Sequence, residues 1–536
     1  MTRFVTDRRR FAVGLSVLVV LTLPVPASAQ ASYHPALDPR HFPVPTSLVP
    51  NIEFWRAIFS EYESTQTVIH DDLHLDIVYG VVDVSDVERS GASAATVERT
   101  NTRRVREAVR RYQRVLQRLG GDRSVEVDGA EVERVRALFA SSARGASDYR
   151  AARGRVRGQG GLKDRFREAI EISGMFMPGI GRILAQHDVP LEVSRMPFVE
   201  SMFNYRARST AGASGVWQFT RATGRMYLQM DSAVDARSDV LLAAEGAAKL
   251  LADNYRRVES WPLALTGYNH GISGMVRAVR QLGTRDIGVI SEKYRSRTFG
   301  FASRNFYSEF VAAVVAYADR ARIFRGIRPL PELRFDEFVP GRFVSMLDLA
   351  HLTDTDVGEL IELNPALHED VGRGTLLVPA TYRLRVPDGR SQEFQQAFAR
   401  LPEERRRDRQ LTVVYRVRRG DTLGALARRF GTSIPALQRA NQLPRADRIY
   451  IGQQLEIPGT ADGWDPLVWM PDALDASSTG ASGPDRQRPA THLVRRGQTL
   501  TQIAKRYGTT VSRLMQANSL RSSLIKIGQV LELPAD

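Results

Sequence analysis

The sequence predicts a multi-domain, mainly α-helical chain that closes on small α+β modules with the element order strand, helix, helix, strand. Three observations predict it. At 536 residues, and roughly 150 residues per domain, the chain needs several separate cores. Residues 161–330 carry apolar stripes at helical spacing: Phe166, Ala169, Ile170 and Ser173 form one, and Leu241 to Tyr255 and Phe306 to Ile323 form two more. Residues 415–458 and 492–534 align with one another over their whole length.

Composition narrows the chemistry before any motif is read. The chain has no cysteine, which excludes disulfides, thiolate metal sites, cysteine nucleophiles and a lipid carried on an N-terminal cysteine. Its 75 Lys+Arg against 60 Asp+Glu leave a net charge of +15, which points to an anionic partner. Arg3, Arg8, Arg9 and Arg10 precede an apolar run from Phe11 to Leu23, and Ala27, Ser28 and Ala29 follow as small residues, so residues 1–29 are expected to be a cleavable secretion signal. Arg8-Arg9-Arg10-Phe11 also fits the twin-arginine pattern, leaving both export routes open. The run is shorter than the roughly 20 residues a bilayer requires, so no transmembrane span is expected after cleavage. Removing the signal lowers the net charge by three, to +12. The expected location is the periplasm or cell envelope, where the anionic partner is a wall or lipid polymer and not nucleic acid.

Residues 30–160 read as a helical region. Pro35, Pro39, Pro43, Pro45 and Pro50 make an extended start, Phe54 to Phe59 opens one helix and Val105 to Leu119 forms another. His70-Asp71-Asp72 is the one cluster with metal-ligand chemistry, but two further ligands are not evident, so surface or capping roles are expected, and neither a metal nor a cofactor.

The chemistry is expected between residues 161 and 330. Pro190 can start a helix that runs through Leu191 and Val193 to Phe198-Val199-Glu200-Ser201, placing one carboxylate directly after an apolar run. Burial disfavours the charged form, so such a carboxyl is a candidate general acid; a surface or capping role is the alternative. A stretch of small residues follows, ending in Gly212-Ala213-Ser214-Gly215-Val216-Trp217-Gln218-Phe219, where backbone can approach a bound chain. Leu265-Thr266-Gly267-Tyr268-Asn269-His270-Gly271 stands further on. Phe198, Met202, Phe203, Trp217 and Phe219 are expected around a dry pocket, with plain core packing as the alternative for the aromatics.

The repeats begin with Val417-Arg-Arg-Gly420-Asp421-Thr422-Leu423 and Val494-Arg-Arg-Gly497-Gln498-Thr499-Leu500. They share Ala440-Asn441 and Ala517-Asn518, and close on Ile451 to Pro458 and Ile527 to Pro534. About 45 residues bury only a small core, which suits a binding bead. The two beads span 413–459 and 491–535. Residues 460–490 between them are rich in Ala, Ser, Gly, Asp and Pro and are expected to be a flexible tether. A weaker copy lies at 340–387, where Leu349-Ala350, Val357, Leu360 and Leu363-Asn364-Pro365 repeat the order of features without the Gly-Asp-Thr-Leu turn. It is expected to be a spacer. Arg405-Arg406-Arg407 reads as a solvated tether or as an electrostatic grip on an anionic wall.

The repeats resemble the LysM domain, through the opening Gly-Asp-Thr-Leu turn, the Asn ending the second helix and the closing Ile-Gly-Gln-x-Leu-x-Ile-Pro strand. LysM modules bind polymers containing N-acetylglucosamine. The resemblance implies a groove framed by Gly420, Asp421, Thr422 and Leu423 with Asn441 to Leu443, and by Gly497, Gln498, Thr499 and Leu500 with Asn518 to Leu520. Turn and cap geometry is the other reading of these glycines and asparagines. The segment from Glu200 to Gly271 resembles the lytic transglycosylases of the soluble lytic transglycosylase fold, related to goose-type lysozyme. That implies a lysozyme-like helical catalytic domain.

By this resemblance the catalytic acid falls on Glu200. Ser201, Gly215, Trp217, Gln218, Phe219, Tyr268 and Asn269 fall at substrate-binding positions, with Gly267 where the family has Ala. Ala302 and Phe306 stand where the family usually has Glu and Tyr, and the roles of those two are open here. The implied reaction cuts the glycan strands of peptidoglycan without water. Glu200 protonates the oxygen leaving C1 of N-acetylmuramic acid, while the sugar's N-acetyl group stabilises C1, oriented by Tyr268 and Asn269. Glu200 then takes the proton of the C6 hydroxyl as it closes a 1,6-anhydro ring. A hydrolytic muramidase and a catalytically silent wall-binding scaffold are the competing expectations. No protein partner is legible.

Overall fold

The computed structural model describes residues 33–139, 145–205, 207–209, 212–443, 449–458, 491–494, 503, 509, 511–518 and 530–533. The expected secretion signal, the expected tether at 460–490 and Gly497 to Leu500 lie outside them. The described residues divide into two compact units.

The first unit takes in residues up to 58, 67–159 and 257–319. Its N-terminal part departs from the all-helical expectation, because a three-stranded sheet lies there with Gln66–Asp71 central between Val78–Asp83 and Val156–Gly160. The central strand is buried at five successive positions, so it shows no alternation of apolar and polar residues for a period-2 reading to detect. Ile69, Tyr79 and Val156 of the sheet share a core with Tyr112, Val115 and Leu116 of the helix Ala94–Leu119. That helix starts where the Ser93 hydroxyl accepts the Thr96 amide.

His70-Asp71-Asp72 ends the central strand. The Asp71 carboxylate accepts the Leu73 and His74 amides and pairs with Arg155 at 2.9 and 3.0 Å. The buried His70 ring packs on Phe54 and Phe301, and burial pushes its pKa down to about 4. No group of three acidic or histidine side chains among the described residues is placed to hold a metal ion. The rest of the unit is helical. Phe301–Ala318 is buried on almost all sides, and Trp261–His270 packs against it with its first seven residues buried.

The second unit takes in 59–66, 160–256 and 320 onwards. Its helices Lys163–Ser173, Met177–Gln186, Met196–Ser201, Arg221–Tyr227 and Val240–Val258 lead into three modules of one plan. In the first of these, Asp336–Phe338 pairs antiparallel with Leu384–Val386 around the helices Met346–Leu352 and Val357–Leu363. In the second, Thr412–Arg416 pairs with Gln454–Pro458 around Leu423–Arg429 and Ile434–Ala440. In the third, Thr491–Leu493 pairs with Val530–Glu532, and Val511–Ala517 is the helix described.

One side chain closes each module. Asn441 donates to the Leu437 and Glu456 carbonyls at 2.9 and 2.7 Å and accepts the Glu456 amide at 2.7 Å. Asn518 does the same with Leu514 and Glu532. Asn364 does it with Leu360 and Arg385. The amide thus ends the second helix and fastens it to the closing strand, satisfying backbone groups that would otherwise be orphaned. The copy lacking the Gly-Asp-Thr-Leu turn keeps this clamp. It opens at Asp336, earlier than residue 340.

This first module is joined firmly to the helices before it. Val234 bridges Leu367, and Ala233, Val234 and Ala236 share a core with Leu360, Leu367 and Val378. Arg385 reaches Asp239 with two hydrogen bonds of 2.6 and 3.0 Å, and both side chains are buried. Among the described residues no helix is long and apolar enough to cross a membrane.

Candidate active site

Glu200 is positioned by two prolines and a forced stop. Pro190 opens a 3-10 turn, Leu191–Arg195, that runs into the short helix Met196–Ser201, with Pro197 in its first turn. Met202 and Phe203 then take positive φ values of 51° and 52°, a region that non-glycine residues seldom occupy. Both their backbone amides turn back to the Pro197 carbonyl. Glu200 is therefore fixed in the last helical turn.

Its side chain keeps some accessible surface, yet desolvation pushes its pKa up to about 8. Protein in place of water around a carboxyl disfavours its charged form. No cation or hydrogen-bond donor among the described residues offsets the shift. About nine-tenths of such a group is protonated at pH 7. It can donate a proton and, once ionised, take one back.

Residues 207–209 and 212–219 fold back on one another beside this helix, the Ser209 amide bonding to the Ala213 carbonyl and the Gly215 amide to the Ala207 carbonyl. The Ser201 hydroxyl donates to the Val216 carbonyl at 3.0 Å, joining the two. Gly215 has φ 78°, and a Cβ there would lie 1.9 Å from the Arg237 carbonyl oxygen. Gln218, also at positive φ, donates its amide to the Gly215 carbonyl at 2.7 Å. Of the two placements left open for Trp217 and Phe219, the structure has the rings in core packing. Both rings are buried, and the Trp217 indole donates to the Val240 carbonyl at 3.2 Å. Phe198 and Phe203 are likewise core, Phe198 stacking on Phe166. These rings build the wall behind the loop and present no face to a ligand.

Arg237 is the residue that sequence reading missed. Its guanidinium donates to the Gly212 and Phe219 carbonyls at 3.1 and 3.2 Å, bracing the loop near its middle and at its end. Asp235 holds it bidentately at 2.9 and 2.7 Å. Burial would raise the Asp235 pKa, but the hydrogen bonds and charge of Arg237 outweigh it and hold it low. The charges alternating along Asp235-Ala236-Arg237-Ser238-Asp239 in a segment without apolar periodicity were the available signal.

Gly215→Ala should therefore be severe, because both φ and the facing backbone reject a methyl group. We expect at least about 2 kcal/mol of lost stability, read as a lower melting temperature, with activity falling as the Val216 and Gln218 contacts shift.

Tyr268 and Asn269 belong to the other unit, at the end of Trp261–His270, which stops at Gly271 with φ 90°. Tyr268 is half-buried and Asn269 is exposed. The Ser303 hydroxyl donates to Asn269 Oδ1 at 2.9 Å. Ala302 is exposed and Phe306 buried, so Phe306 takes part in packing.

In the second module Gly420 has φ 89°, Asp421 accepts the Arg418 amide at 2.7 Å and the Tyr415 hydroxyl at 2.8 Å, and Thr422 caps the helix that follows. Those two hydrogen bonds, the backbone one first, hold the Asp421 carboxyl below its usual range. Leu423 is buried. The side chains of Asp421, Thr422, Leu423, Asn441 and Asn518 thus serve turn, cap, core and clamp. This is the turn and cap geometry that the sequence left open beside a groove-lining role.

Comparison with known proteins is consistent with this geometry. Residues 184–290 match the transglycosylase SLT domain, and residues 415–458 and 492–534 match the LysM domain. The membrane-bound lytic murein transglycosylase D of Escherichia coli strain K12 is 25% identical over 370 residues, covering 65% of this chain and 74% of its own. An N-acetylmuramoyl-L-alanine amidase, sle1, of Staphylococcus epidermidis is 35% identical over 122 residues, covering 23% of this chain and 33% of its own. The second match is only about as long as the repeat region.

Proposed function

From a chain that carries a transglycosylase SLT domain followed by two LysM domains, we infer a peptidoglycan lytic transglycosylase with Glu200 as its proton-transfer group. The observation that carries the assignment of Glu200 is a desolvated carboxyl, pKa about 8, inside the matched span. Glu200 protonates the oxygen between N-acetylmuramic acid C1 and the next N-acetylglucosamine, and the C1–O bond breaks. The substrate's own acetamido carbonyl supports the positive charge at C1, which removes the need for a second carboxylate. The Glu200 carboxylate then accepts the C6 hydroxyl proton as O6 bonds to C1. No water is consumed, and Glu200 ends protonated as it began.

Ser201 and Gln218 contribute by fixing the loop and the catalytic helix, and Arg237 by bracing the loop. The LysM domains hold the enzyme on its polymer, and tethering raises the local concentration of strands. Such an enzyme works in the cell envelope, which fits the charged and apolar pattern of residues 1–29.

The product tests the reaction class. Digestion of purified sacculi followed by mass analysis should give fragments ending in 1,6-anhydro-N-acetylmuramic acid, lighter by one water than the reducing ends a muramidase leaves. Reducing ends alone would replace this reading with hydrolysis, and no release at all would replace it with a binding scaffold.

A further inference from the structure

A cavity of about 230 Å³ opens in the second unit where three of its parts meet. The helix Arg221–Tyr227 supplies Arg221 and Arg225, the first module supplies His368, and the first LysM domain supplies Arg439 and Gln442. The space suits a group of amino-acid size. The modules are held around it by the Val234–Leu367 bridge and by the Arg439–Asp370 ion pair.

The charges on its wall are unequally engaged. Asp235 is held by Arg237. Asp231 accepts the Ala233 and Val234 amides through one oxygen and the Gln229 amide through the other. His368 is neutral at physiological pH, its pKa pushed down to about 4 by burial first and then by Arg439. Arg439 Nε is buried without a hydrogen-bond acceptor. Arg221 and Arg225 are exposed, and among the described residues neither has an ion pair or hydrogen bond. Burial, and then the charges of Arg237, Arg225 and Arg439, lower the Arg221 pKa, as expected where cations gather without enough anions. The exposed Glu456 stands on the LysM side.

We propose that this cavity is a substrate subsite for a carboxylate of the peptide stem carried by the glycan strand, gripped by Arg221 and Arg225. The proposal rests on the peptidoglycan reading and adds to it the part of the polymer that is read. The lactyl carboxyl of each muramic acid that carries a stem is tied up in an amide, so the free carboxylates on such strands are those of the stems. Guanidinium groups match a carboxylate with two parallel N–H donors. A grip between the SLT and LysM domains would favour strands still bearing stems.

The test compares native strands with strands whose stem carboxylates have been coupled to glycinamide, which removes the charge and keeps the stem. Wild type should show kcat/KM about five- to tenfold lower on the capped strands. The double variant Arg221→Gln, Arg225→Gln should cut both kinds at nearly the same, lower rate. Both side chains are exposed, so the substitutions leave the core alone. Wild type indifferent to capping, or a double variant that keeps the preference, would overturn the proposal. A wild type that forms no anhydro ends from native strands would instead remove the transglycosylase reading itself.

Discussion

Glu200→Gln is expected to lower release of soluble fragments from sacculi by at least about three orders of magnitude while leaving binding to sacculi within about twofold of wild type. The amide is isosteric, so the helix Met196–Ser201 and its stop at Met202 and Phe203 are retained. It cannot donate the first proton or accept the second, and general acid and base contributions are about 10²–10⁴ each. The same carboxyl sets the pH dependence. With a pKa of about 8 the proton-donating form prevails at neutral pH, and kcat/KM should fall as pH rises through 8.

Stability moves the other way in the variant. Glu200 is raised from 4.5 in the unfolded chain to about 8 when folded, so its stabilising contribution is complete below pH 4.5 and is lost as pH rises through 8. Glu200→Gln has no such loss, and should melt a few degrees higher than wild type at pH 8–9, with the gap closing towards pH 4.5. A variant that keeps turnover, or a wild-type rate that climbs through pH 8, would remove Glu200 from its role.

What was legible in the sequence follows from how local each signal is. The LysM plan could be read because two copies in one chain show which positions repeat, and Thr412–Arg416 with Gln454–Pro458 appears where alternation put it. The surroundings of Glu200 were local, since its neighbour Ser201 and the Val216 carbonyl that receives the Ser201 hydroxyl are 15 residues apart along the chain. Gln66–Asp71 could not be read, since its buried positions include Thr67, His70 and Asp71, and burial of polar residues leaves neither an apolar run nor an alternation to read. Trp217 illustrates another limit: a tryptophan in a glycine-rich loop is equally suited to stacking on a sugar or filling a core, and only the Val240 carbonyl that takes its N–H decides. Asn441 belongs with it, since a sequence cannot tell an amide offered to a ligand from one clamping Glu456. Arg385 and Asp239, 146 residues apart, give no local sign of their pairing.

That last pair carries the second large expectation. Arg385→Met should cost about 3–5 kcal/mol, because it leaves the Asp239 carboxylate buried without its partner. Burial alone would lower the Arg385 pKa, and it is the charge and hydrogen bonds of Asp239 that hold it above its ordinary value. Asp239 also caps the helix Val240–Val258, since one of its oxygens accepts the Leu241 and Leu242 amides. Val240, next along, receives the Trp217 indole, so the pair connects the first module to the loop that carries Trp217.

Adding Asp239→Asn to Arg385→Met should recover most of the loss, since the amide oxygen can still cap the helix and no charge remains to be neutralised. Thermal unfolding of the wild type, both single variants and the double variant gives the coupling directly. Activity on sacculi should follow the same order, with the double variant more active than Arg385→Met. Equal melting points for the Arg385→Met single variant and the double variant would mean that the first module is held by its shared apolar core alone, and that the ion pair adds nothing to the loop.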